Sequence, residues 1–354
     1  MAKKEKPVQH PEYEKAPMDR RTFFRRIATA SGIAGGAGYL AFAPAGYPLS
    51  LKDKSGLRSK HVEKAFTLPD FRVEKKFASG PDVGIARGTR DLEGNLDLKR
   101  MLKAAVGEIG GIDHFIQKDD IVLVKPNVAF DRSPNLGATS NPEILEALIR
   151  LVFEAGAQEV RVADNPIESP PDCFEKSKIG EATLRAGGRV YLPDSNAFRM
   201  LSTPGATLIQ EWWFFHRPFT NVDKVIGFAP VKDHNLCHAS MGIKNFYGLL
   251  GGTRNQFHQD INNIVSDLSI MIRPTLTILD GTNVLMENGP NGGDPSNVKK
   301  GDVVMAGIDP VALDAWAFEY CLERGRDYPN YLYMAEEKGS GKLDWTDRVK
   351  EIVV

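Results

Sequence analysis

From about residue 81 onward, short unbroken apolar runs alternate with stretches whose apolar residues recur every three or four positions. Ile121-Val122-Leu123-Val124 follows the acids Asp119 and Asp120. An apolar run this short, with no polar alternation, is the pattern of a strand buried on both faces. Leu96, Leu98, Met101, Leu102, Ala105, Val106 and Ile109 keep helical spacing and predict a helix over 96–109. Asn141 before Pro142 predicts a capped helix start, and Ala155-Gly156 its stop, giving a helix over 143–154. The same reading predicts strands at 83–86, 159–163, 189–192, 224–228, 275–279 and 302–306, and helices at 174–186, 261–272 and 311–322. Four adjacent aromatics, Trp212, Trp213, Phe214 and Phe215, are expected to pack in a core or interface.

Strand, helix, strand with short links is most economically met by a mainly parallel sheet with helices on both faces. No internal repeat and no Pro/Ser-rich linker interrupts residues 81–354. The expected architecture is therefore a single α/β domain over 81–354, with a mostly parallel sheet flanked by helices. Residues 46–80 are charged and aperiodic, and are expected to form a linker or an arm laid over the body.

The N-terminus has a different pattern. Residues 1–26 carry eight Lys/Arg against four Asp/Glu, and residues 27–45 carry no charge at all. Arg20, Arg21 and Phe23 before an apolar segment diluted by Gly and Ala resemble a bacterial twin-arginine export signal, with Ala43-Pro44-Ala45 as a small-x-small cleavage site. Residues 1–45 are thus expected to be a signal segment, either cleaved or kept as an anchor. The implied partner is the twin-arginine translocation machinery, and the implied location is periplasmic or extracytoplasmic. As a membrane span the segment is barely long enough, and its four glycines weaken it.

Composition narrows the function. The 354 residues are 42% hydrophobic and 26% charged, with a formal net charge of -1, which excludes global disorder and gives no basic excess for nucleic acid. The three cysteines, Cys173, Cys237 and Cys321, form no Cys-x-x-Cys pair, so a zinc ribbon, a redox pair and a disulfide scaffold are all disfavoured.

In parallel sheets ligands bind beyond the carboxyl ends of strands. Each of five predicted strand ends is followed by ionisable or amide residues: Lys125 and Asn127, Asp164 and Asn165, the stretch 229–235, Asp280, and Asp309. Asp309 before Pro310 is explained by helix capping. Lys125 is harder to explain away, because a lysine at a buried strand end must find water or an anion.

Residues 234–258 hold three of the seven histidines. His234 and His238, four apart, would share a helix face and could grip one metal, with His258 or Cys237 as further ligands. Histidine is also the natural acid–base group near neutral pH. Lys244 and Asn245, with Gly251, Gly252 and Arg254, suit an anion such as a carboxylate or phosphate. Neither the nucleotide-hydrolase phosphate loop nor a dinucleotide fingerprint is present.

Taken in order, Val124-Lys125-Pro126-Asn127, Thr139-Ser140-Asn141-Pro142, Gly242-Ile243-Lys244-Asn245-Phe246-Tyr247-Gly248, His258, Asp280, Gly289-Pro290 and Asp309-Pro310-Val311-Ala312-Leu313-Asp314 resemble the prokaryotic family catalogued as domain of unknown function 362. The resemblance runs from about residue 82 to 322. Many members of that family carry a ferredoxin-like segment with cysteine clusters. This chain lacks them, so an iron–sulfur cluster is not supported.

The leading expectation is an exported enzyme acting on a small anionic substrate, with or without a divalent metal. Lys244, His238 and His258 are the candidate catalytic residues. Lys125, Asn127, Asn245 and Arg254 are candidates to bind the substrate, and His234, His238, Asp164, Asp280 and Asp314 are candidates to bind a metal. The rival expectation is a non-catalytic periplasmic ligand-binding or accessory protein serving a redox or metal system.

Overall fold

The computed structural model describes residues 64–76 and 78–354. The signal segment expected over 1–45, and residues 46–63 of the expected arm, lie outside the described residues. The chain runs β1 (Val83–Arg87), α1 (Leu98–Glu108), α2 (Ile112–Phe115), β2 (Ile121–Lys125), α3 (Pro142–Glu154), β3 (Glu159–Ala163), α4 (Pro170–Lys176), α5 (Ile179–Arg185), β4 (Arg189–Tyr191), β5 (Phe198–Ser202) and β6 (Glu211–Phe215). It continues through β7 (Lys224–His234), β8 (His238–Ser240), α6 (Gly242–Asn245), α7 (Ile261–Met271), β9 (Leu276–Leu285), β10 (Val298–Gly307), α8 (Pro310–Tyr320), α9 (Asn330–Glu337) and β11 (Val349–Val353).

The main sheet has the order β11-β1-β10-β9-β7-β2-β3-β4, with β8 paired onto β7. The run β9, β7, β2, β3, β4 is parallel throughout, while β10 is antiparallel to both β1 and β9. The sheet is therefore mostly parallel, as expected, and mixed towards the β11 edge.

Alternation along β2 shows why the sheet is covered on both sides. Val122 and Val124 join one core with Met101 and Leu102 of α1 and Leu145 and Leu148 of α3. Leu123, facing the other way, joins a second core with Phe246, Leu268 of α7 and Leu313 of α8. α3 starts as expected: the Asn141 side chain accepts the Glu143 N–H and Pro142 occupies the first turn.

The structure departs from the sequence reading in several places. The single helix expected over 174–186 is two helices, because Lys178 takes a left-handed conformation (φ 63°) between them. β7 does not stop at Phe228 but continues to His234. Pro230, expected beyond the end of this strand, sits at a register shift between Pro230 and Lys232 in the β7/β9 pairing. A proline can occupy a strand at such a shift because its missing N–H is not called on there. β9 and β10 are likewise longer than expected, so Asp280 lies inside a strand and not beyond its end.

Trp212–Phe215 form most of β6, which pairs with β5 in a small separate sheet. Phe214 and Phe215 are buried, with Phe215 stacked on Phe198 at 5.3 Å, so the expected core packing is observed. Residues 64–76 lie against the body: Phe66 bridges Leu201, and the Phe71 N–H donates to the Arg273 carbonyl at 3.1 Å. Among the described residues no helix is long and apolar enough to cross a membrane.

The topology marks one crevice. After β2 the chain builds β3 and β4 on one side, then returns to place β7 and β9 on the other. Connections leaving β2 and β7 thus diverge, and such a switch point opens a crevice at the carboxyl ends of the two strands.

Candidate functional site

Lys125 ends β2 at that switch point, and its side chain is 1% exposed. Its ammonium donates to Asp164 Oδ1 at 2.9 Å and to Asn245 Oδ1 at 2.7 Å. Asp164 lies one residue beyond β3, and its carboxylate also accepts the N–H groups of Val128 (2.7 Å) and Asn165 (2.9 Å). Burial pushes the Lys125 ammonium down to about 8; Asp164 opposes this, while Arg254 and Lys244 add to it. Gly248 is packed directly over the pair: a Cβ there would lie 2.1 Å from Asp164 Oδ1 and 2.9 Å from Lys125 Nζ. Only glycine fits.

Asn245, in α6, bridges the neighbouring strands β2 and β7 at the point where β2 ends. Its amide nitrogen donates to the carbonyls of Lys125 in β2 (3.0 Å) and Phe228 in β7 (3.1 Å). Its oxygen accepts from Lys125 Nζ and from Asn127 Nδ2 at 3.2 Å. Asn127 in turn accepts from Lys232 Nζ at 3.2 Å.

Lys232 is the residue the sequence reading left out of the site. It lies in the part of β7 past Pro230, is 1% exposed, and donates to the Ala138 carbonyl at 2.5 Å. Its ammonium stands 5.3 Å from the centre of the Phe130 ring. No carboxylate pairs with it among the described residues. Burial, and then the charges of Lys244 and Lys125, push it well below the ordinary lysine range. The sequence reading placed Lys232 in the stretch 229–235 after a predicted strand end but did not single it out; the signal available was a cation after the apolar run 225–231.

Lys244 is 8% exposed, and its ammonium lies 5.3 Å from the centre of the Tyr247 ring. Among the described residues it too has no carboxylate partner, and burial lowers it, with Arg254 adding to the effect. Its charge adds to the lowering of Lys125, Lys232 and His234. Arg254 turns its guanidinium onto the carbonyls of Asn165 (2.8 Å), Pro166 (3.1 Å), Leu250 (3.1 Å) and Tyr247 (3.4 Å), clamping the loops around the site.

The histidines separate. His234 and His238 do not share a helix; they face each other as backbone partners across the β7–β8 hairpin. His234 is buried beside the cluster, its Nδ1 accepts the Leu236 N–H, and burial holds it neutral, down to about 2. His238 is exposed at the start of β8, with a left-handed backbone (φ 63°). His258 meets the cluster through Tyr247: ring centres are 5.4 Å apart, and His258 Nδ1 contacts the Asn255 carbonyl at 3.0 Å.

The acids separate too. Asp280 in β9 is engaged by the Thr282 N–H and hydroxyl, and burial raises it. Asp314 in α8 accepts the N–H groups of Gly242 (2.9 Å) and Ile243 (3.1 Å), and burial raises it to about 7. Asp314 therefore caps α6, the element that carries Lys244 and Asn245. His234, His238, Asp164, Asp280 and Asp314 are not brought together, and among the described residues no three His, Cys, Asp or Glu side chains form a metal-binding group.

The comparisons with known proteins cover this same span. The family model described as "Domain of unknown function (DUF362)" matches residues 122–319, which includes Lys125, Asp164, Lys232, Lys244, Asn245 and Asp314. A thylakoid-associated protein of Synechocystis sp. is 27% identical over 230 residues, covering 60% of this chain and 66% of that protein. The chain thus spans just under two thirds of the length of this relative. Among solved structures, the lactate racemase apoprotein from Thermoanaerobacterium thermosaccharolyticum overlaps with a TM-score of 0.34 and 15% identity, over 68% of this chain and 56% of that one. A protein from Thermotoga maritima overlaps with a TM-score of 0.33 and 14% identity, over 69% and 58%. At these scores the likeness is loose.

The depressed Lys125 fixes a sign. Between about 8 and the ordinary lysine value of 10.5 the unfolded chain holds this proton and the folded chain does not. Folding stability in anion-poor buffer should therefore rise with pH across that window, with Lys232 and Lys244 acting in the same sense. Lys125→Met should lower the slope by about 1.4 kcal/mol per pH unit, read from urea midpoints across the window. A slope unchanged by the substitution would remove Lys125 from this balance.

Proposed function

The chain belongs to the family described as domain of unknown function (DUF362), and within it we propose that this protein is an enzyme that binds a small anionic molecule in the β2/β7 crevice and moves a proton on it. The observation that carries this reading is the pair of buried lysines, Lys232 and Lys244, with no carboxylate partner among the described residues. A buried ammonium without a counter-charge costs several kcal/mol, and an anionic ligand removes that cost. In this reading Lys232 and Lys244 attract the anion, and Asn127 holds Lys232 while the Tyr247 ring carries Lys244. Arg254 holds the surrounding loops.

The proton-moving group is Lys125. An amine brought down to about 8 exchanges its proton near neutral pH, and the hydrogen bonds to Asp164 and Asn245 fix its direction. One observation favours the rival reading of a non-catalytic binding protein: none of His234, His238 and His258 hydrogen-bonds a carboxylate among the described residues. In that case the crevice would hold the same ligand without turning it over.

The binding claim is tested by thermal unfolding with acetate, sulfate or phosphate against chloride at equal ionic strength. The wild-type midpoint should rise with at least one of these anions, and Lys244→Met should abolish the rise while keeping a cooperative transition. An equal rise in the variant would take Lys244 out of the site.

Export is a separate proposal, carried by Arg20, Arg21 and the uncharged residues 27–45. The Synechocystis relative is described as thylakoid-associated, which is compatible with a protein that meets a membrane system. Fractionation of a bacterial host making the full chain should find it outside the cytoplasm, and Arg20→Lys with Arg21→Lys should return it there. An unchanged distribution would defeat the export reading.

A further inference from the structure

Lys232 and Lys244 set more than the sign of the ligand. Of the three buried lysines, Lys125 is already balanced by Asp164 at 2.9 Å. Lys232 spends two of its three N–H groups on neutral oxygens, Asn127 Oδ1 and the Ala138 carbonyl. Lys244 rests on the face of the Tyr247 ring. Neither amine thus has a carboxylate at ion-pair distance among the described residues, and Asp164, the acid that acts on Lys232, is already bonded to Lys125. They belong to one network: Lys232 bonds Asn127, Asn127 bonds Asn245, and Asn245 is the neighbour of Lys244 in α6. A single negative charge would leave one of them buried and unbalanced, or force it to give up its proton.

We propose that the crevice is built for a doubly charged anion, a phosphoryl group or a dicarboxylate, held between Lys232 and Lys244. The inference rests on the anion-binding reading above and goes beyond it by fixing the ligand's charge. Lys244, 8% exposed against 1% for Lys125 and Lys232, marks the side from which the anion arrives. His234 adds no third charge, because burial keeps it neutral. A second consequence follows from the environment of Lys232. Burial beside two other lysines disfavours its charged form in the empty protein, so binding a dianion should draw in a proton.

Sulfate and methyl sulfate share a tetrahedral head but differ by one charge, and sulfate does not itself titrate near neutral pH. Isothermal titration of the full chain with each, at constant ionic strength and in two buffers of unlike ionisation enthalpy, reads both consequences. Sulfate should bind about tenfold tighter than methyl sulfate or better, with net proton uptake near pH 8, and Lys232→Met and Lys244→Met should each erase the preference. Phosphate against malonate then tells a phosphoryl ligand from a dicarboxylate, and tight binding of either supports the dianion. Equal binding of sulfate and methyl sulfate would overturn the charge assignment while leaving an anion site in place. No binding of sulfate, methyl sulfate, phosphate or acetate would remove the anion reading itself.

Discussion

The Asn245 amide is the constraint on which the site depends. β2 ends at Lys125, and β7 runs on past it to His234, so from that point the edge of β7 that faced β2 has no strand beside it. Asn245 bridges the two strands there, donating to the carbonyls of Lys125 in β2 and, beside the Ser140 hydroxyl, of Phe228 in β7, and it turns its oxygen back onto the Lys125 ammonium. One side chain thus closes the backbone of the crevice and aims the lysine that lines it. Asp314 secures the arrangement from beneath, since it holds the first N–H groups of the helix that carries Asn245 and Lys244. Removing the Asp314 carboxylate would loosen both residues without touching the crevice itself.

Around this frame the charges do not balance. Lys125 and Asp164 form a closed pair, wedged under Gly248, where even one methyl group would collide with the carboxylate. Lys232 and Lys244 have no such partner among the described residues. A protein that only needed stability would place apolar side chains there, because replacing buried charges by packed hydrocarbon is commonly neutral or favourable. Keeping two lysines buried in this way is a cost that makes sense when a ligand offsets it. Strain and imbalance of this kind mark places where a chain is shaped for function and not for folding alone.

The parts of the fold that were legible were those governed by local pattern. β2, α3 and β3 followed from apolar runs and from the caps at Asn141 and Gly156, because burial and capping act over a few residues. β7 was expected only as far as Phe228; what keeps its later residues extended is pairing with β8 and β9, contacts that no local pattern shows. The lysine and asparagine members of the site, Lys125, Lys244 and Asn245, stood out as charge or amide beside apolar segments. Lys232 lay in the stretch 229–235 after a predicted strand end, with nothing local to set it apart from its neighbours there. The role of Asp314 had no signature at all, because its partners at Gly242 and Ile243 lie seventy residues away. The spacing of His234 and His238 suggested a shared helix face, whereas a hairpin separates their roles: one is buried beside the lysines and the other faces solvent.

The central claim is that Lys232 and Lys244 hold an anion between them. The most direct measurement is anomalous diffraction from crystals soaked in selenate, a doubly charged tetrahedral ion whose selenium can be located without bias. The account predicts a selenium peak bridging the two ammonium groups, next to the Lys125–Asp164 pair. Crystals with no peak there, and with both amines still bonded only to protein oxygens and aromatic rings, would contradict it.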